Sequence, residues 1–193
     1  GGTKLTYSDL LFSTIKLKWN DARDSFENLI EDINGEVFDF DTNFVLKTCF
    51  TLLANSQNDV KYSKKNVDDQ NKINFIIHNW SKIVNSITVT RDLLTRFGIT
   101  HSKLLTSNNA LIPLVYYIYK RDIVGLGDSK QKNILSKDDE NLMKNFLINS
   151  LLTGLFGGQS DTILYTIKEV IDKNGSDKFP LNEIKLSLSK KNK

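Results

Sequence analysis

Cysteine occurs once in these 193 residues, at Cys49, so an internal disulfide is excluded. Histidine occurs twice, at His78 and His101, and with a single thiol these cannot build a familiar zinc site. Proline also occurs only twice, which leaves long helices free to run. No apolar run approaches the roughly 20 residues that a membrane-spanning helix needs. Nothing at the start resembles a signal peptide, so a reducing, cytoplasmic setting is expected. Cys49 falls among Phe44, Val45, Phe50, Leu52 and Leu53 and reads as a small buried hydrophobe.

What is present is a core and a skewed charge. Hydrophobic residues make up 39% and charged ones 25%, enough for a packed domain of ordinary size. The net charge of +3 hides an asymmetry: residues 1–60 hold 5 Lys and Arg against 10 Asp and Glu, and residues 61–193 hold 21 against 13. Residues 24–41 carry seven acids and no base, a poor surface for nucleic acid. The basic end, with Lys185, Lys190 and Lys191, is the stretch able to approach phosphates; a solvated tail is the plainer reading.

Residues 107–121, SNNALIPLVYYIYKR, are the centre of the chain: from Ala110 to Tyr119 every side chain is apolar, aromatic or proline. A run apolar on all sides predicts a helix packed by neighbours on several faces. Ser107, Asn108 or Asn109 can cap it, and Pro113 predicts a kink or a late start. Around it, Ile15, Trp19, Ala22, Phe26, Leu29 and Ile33 predict one helix of roughly 25 residues, capped by Thr6 or Ser8 and ended by Asn34-Gly35. Asp41 caps a second helix reaching about Asn55, and residues 56–66 read as a polar loop. Ile73, Ile76, Trp80, Ile83, Ile87, Thr90, Leu94 and Phe97 predict a helix of about 30 residues, near 45 Å, stopped by Gly98. Gly125-Leu126-Gly127-Asp128 reads as a turn. Ser136 with Asp139 opens a helix carrying Leu142, Met143, Phe146, Leu147, Leu151, Leu152 and Leu155, closed by Gly157-Gly158. Ser160 caps the next, ended by Asn174-Gly175, and Phe179-Pro180 begins the last. The expectation is an all-α, irregular bundle of six to eight helices, two of them long, forming a single helical domain over residues 1–193.

Catalytic chemistry is thinly signalled. His101, Ser160 and Asp161 could be drawn as a triad, but no nucleophile elbow surrounds Ser160. Asp39 and Asp41 form a candidate metal pair, although capping explains Asp41. Gly157, Gly158 and Ser160 precede a helix whose backbone N–H groups could hold a phosphate. Asp161 would repel an anion there, and a tight interhelical turn explains the glycines as well.

Three stretches together carry a family resemblance. Gly1-Gly2-Thr3-Lys4-Leu5-Thr6-Tyr7-Ser8-Asp9-Leu10-Leu11 resembles the Asn-Ser-Gly-Gly-Thr-x-Leu-Ser-x-x-Asp-Leu segment of the GmrS–GmrD-type modification-dependent restriction endonucleases. Ser107-Asn108-Asn109-Ala110-Leu111-Ile112-Pro113 is similar to their mid-region motif, and Leu155-Phe156-Gly157-Gly158-Gln159-Ser160-Asp161-Thr162 to their Gly-x-Ser-x-Asp-Thr turn. The resemblance covers nearly the whole chain in order. It implies a bacterial, phage-defence protein in which a ParB-like domain binds and hydrolyses nucleoside triphosphate through an Asp-Gly-Gln-Gln-Arg motif. A helical region follows that domain, and many members end in a His-Asn-His nuclease domain. Neither motif occurs here, so the resemblance implies a helical piece of a larger protein, with no catalytic residue or cofactor of its own. Nucleoside triphosphate, divalent metal and the cutting of modified DNA would belong to the parent. Gly1, Gly2 and Thr3 would lie at the edge of its nucleotide pocket. The expected role is scaffolding or coupling of the nucleotide-binding and nuclease domains. The alternative is a self-contained DNA- or protein-binding module using Lys61, Lys64, Lys65, Lys185, Lys190 and Lys191.

Overall fold

The structure, a computed structural model, describes residues 7–126 and 133–191. The expectations at Gly1, Gly2, Thr3, Thr6, Gly127 and Asp128, and those on the side chains of Lys64 and Lys191, lie outside the described residues.

The fold is all-α. The first apolar stripe forms two helices, α1 (Tyr7–Lys18) and α2 (Ala22–Asn34), where one was expected. The chain turns at Trp19, whose carbonyl accepts from the Ala22 N–H at 3.1 Å, before α2 resumes. The turn lets Trp19 lie edge-on to Trp80 at 5.1 Å and face Phe26 at 6.0 Å, which stabilises the corner. After Gly35, the Asn34 side chain clamps Phe40 through both its amide and its carbonyl oxygen. Asp41 then caps α3 (Thr42–Leu53) by accepting from the Phe44 N–H at 2.8 Å.

The expected polar loop contains two short helices, α4 (Gln57–Val60) and α5 (Lys64–Asp68). Four or five residues show no apolar period, and local bonds make these turns: a capping box of Ser56 with Asp59, and a Ser63 cap. The long third helix is also interrupted, into α6 (Gln70–His78) and α7 (Trp80–Phe97). At the joint the Asn79 amide donates to the Phe75 carbonyl at 2.9 Å, competing with the main-chain ladder. The ladder nearly survives, with Asn79 N–H to Phe75 and Ile83 N–H to Asn79, so the apolar phase carries straight through. Gly98, in left-handed conformation at φ 84°, ends α7 as expected.

A 3₁₀ turn over Asn108–Leu111 leads into α8 (Ile112–Lys120), the central helix, so Pro113 produces a late start and not a kink. Every residue from Ile112 to Ile118 is buried. Helices α7 and α3 pack on α8, as does α10 (Ser160–Asn174). Gly125–Leu126, expected as a turn, pairs in parallel with Ile134–Leu135, the two strands of a minimal sheet. Ser136 and Asp139 open α9 (Lys137–Leu152), and α11 (Leu181–Lys191) closes the described chain. Helix α9 ends earlier than expected: Gly154, at φ 61°, turns the chain before the glycine pair. Leu152, expected in the stripe, is 80% exposed and lies off the buried face that Met143, Phe146, Leu147 and Ser150 form.

The core claim is tested at Leu114, which is fully buried on α8. Leu114→Ala should cost about 2–5 kcal/mol through lost transfer energy and a cavity. Lys190→Ala, at an exposed position, should change stability by less than about 0.5 kcal/mol. Coincident denaturant midpoints for the two variants would contradict the central place of α8.

Candidate functional site

The candidate site is the turn between α9 and α10, with the walls that face it. Within the turn, the Gly157 N–H donates to the Gly154 carbonyl at 2.9 Å. A side chain at Gly157 would press on that carbonyl at 3.2 Å, which explains glycine there without a ligand. Gly158 has open space around it and no unusual φ. Gln159, and not Ser160, stands at the N-cap of α10, and no side chain caps the helix. Ser160 is the first helical residue.

The residue that fastens this turn is Asp161. Its carboxylate pairs with the Lys47 ammonium at 2.7 Å, with the two side chains 27% and 11% exposed. Lys47 sits in the middle of α3, 114 residues earlier, between Leu46 and Thr48 in the core. Its ammonium also donates to the Val60 carbonyl at 3.1 Å and lies 4.3 Å over the Tyr62 ring. A buried cation with a carboxylate, a carbonyl and an aromatic face is well compensated. Gln57 adds a side-chain hydrogen bond to Thr162, and the Tyr165 hydroxyl donates to the Asn55 carbonyl at 2.8 Å. The start of α10 is thus bolted to α3 and α4. The sequence signal for Lys47 was legible but unread: a lysine inside an otherwise apolar helix segment.

The facing wall is itself rigid. Buried Asn66 donates through its amide to the carbonyls of Asn58, Asp59 and Lys61. Lys72 binds Asp59 and the Asn66 oxygen, each at 2.7 Å. Burial pushes the Asp59 carboxyl up, but hydrogen bonds from Lys72 and Ser56 outweigh it and hold the group below its ordinary value.

The surface over these elements is one groove of three adjoining hollows. One of about 320 Å³ is lined by Gln57, Lys61, Gly158, Gln159, Ser160, Asp161 and Thr162. The next, about 340 Å³, shares Gly158, Gln159 and Thr162 with it and is floored by Leu155, Ile163 and Leu188. The last, about 270 Å³, shares Leu155 and Leu188 and lies between α9 and α11, with Lys185 at its edge. Lys61 and Lys185 therefore stand at opposite ends, with Gly158 and Ser160 between them. Gly157 is exposed beside the groove, and Lys190 is exposed on α11.

Other candidates are occupied structurally. His101 Nδ1 accepts from the Lys103 N–H at 3.3 Å as the cap of a 3₁₀ turn, while Asp161 is held by Lys47. His78 is exposed, with Nδ1 2.6 Å from the Asn74 carbonyl. Asp41 is the α3 cap. Burial pushes the Cys49 thiol up to about 12, which makes it a poor nucleophile. Among the described residues no group of three or more His, Cys, Asp or Glu could hold a metal ion, and no helix is long and apolar enough to cross a membrane.

No family model and no curated protein matches the chain.

The bolt at Asp161 should be asymmetric. Asp161→Asn leaves the nearly buried Lys47 ammonium without its counter-charge and should cost about 2–4 kcal/mol. Lys47→Met keeps the apolar stem and leaves the more exposed Asp161 at a helix N-terminus that favours it, for a cost of about 1 kcal/mol. Equilibrium denaturation giving the opposite order would contradict this description of the pair.

Proposed function

We propose that this chain is a helical, non-catalytic region of a bacterial, cytoplasmic restriction-type defence protein acting against foreign modified DNA. It scaffolds or couples a ParB-like nucleotide-binding domain and a nuclease domain. Nucleoside triphosphate and divalent metal are handled by those partner domains. The resemblance to the GmrS–GmrD-type family motivates the reading, and the placement of its motif residues supports it. Residues 107–113 form the lead-in and first turn of the central helix, and the 155–162 stretch supplies Asp161 to the buried Lys47. Both stretches serve as joints of the bundle, as a scaffold would require. Incubation of the chain with GTP, ATP and modified DNA in the presence of divalent metal should give no turnover. Reproducible metal-dependent cleavage of DNA or nucleotide would overturn the reading.

A second reading, a DNA-binding module, is favoured by one observation: Lys61 and Lys185 bracket a single groove with the α10 N-terminus between them. Contacts of that kind are made to the phosphate backbone and weaken steeply with salt. The same preparation titrated with duplex DNA distinguishes the two. Affinity that falls with salt and with Lys61→Ala or Lys185→Ala supports the module, and negligible, salt-insensitive binding removes it.

A further inference from the structure

We draw no further inference here: the strongest candidate, the polar hollow over the start of α10 lined by Gln57, Lys61, Gly158 and Ser160, belongs to the site already described and rests on a helix N-terminus beside which the buried cation, Lys47, is already paired with Asp161.

Discussion

A carboxyl group placed in an apolar interior must be met by donors, and that requirement at Asp139 sets much of this architecture. Asp139 is 4% exposed. One of its oxygens accepts from the Tyr117 hydroxyl at 3.0 Å and from the Phe179 N–H at 2.7 Å. The other accepts from Ser136 Oγ at 3.0 Å, and Ser136 Oγ in turn accepts from the Asp139 N–H at 3.1 Å. One side chain thereby holds Ser136, the cap of α9, as well as the central helix and the entry to α11. Arg121 donates to the Tyr117 hydroxyl at 2.8 Å, and the Tyr117 ring meets Phe179 edge-on at 5.3 Å. Burial, then the neighbouring Asp139, push the Tyr117 phenol above its ordinary value, which keeps it a hydrogen-bond donor.

The same logic repeats around α8. Tyr116 donates to Asp172 at 2.5 Å, and Lys120 and Lys168 reach the same carboxylate. Burial pushes Asp172 up, but those hydrogen bonds outweigh it and hold the carboxyl below its usual range. Tyr119 donates to Asn79 at 3.2 Å, so the break between α6 and α7 is also where the central helix finds a partner. Each phenol of the hub points to a different neighbouring element, which is how a helix apolar on all sides acquires one orientation. With its faces consumed in this way, α8 has little surface left for a ligand. The accessible chemistry lies at the periphery, where α9, α10 and α11 leave a groove.

Much of this was legible from local signals. Asp41, Gly98, the Ser136–Asp139 pair and Asn174-Gly175 mark helix ends through chemistry contained within a few residues. The breaks at Trp19 and Asn79 were not legible, because both preserve the phase of the apolar stripe and periodicity is blind to a joint that keeps register. The short helices α4 and α5 are below the length at which any period shows. At the candidate site, the turn at Gly157-Gly158 and the α10 start could be picked out, but its meaning depends on Lys47 far away in the chain. Nothing local tells that Asp161 faces a buried cation. Nor could the sequence show that Leu155 and Leu188 share a groove while Leu152 faces outward, since that depends on how α9 ends and α11 returns.

The central claim is that Asp139 and Tyr117 act together to hold α8, α9 and α11. A double-mutant cycle of Tyr117→Phe and Asp139→Asn, read by equilibrium denaturation, measures it most directly. The account predicts a coupling of about 1–3 kcal/mol, with the double variant less destabilised than the two single costs combined. Strictly additive costs would contradict it.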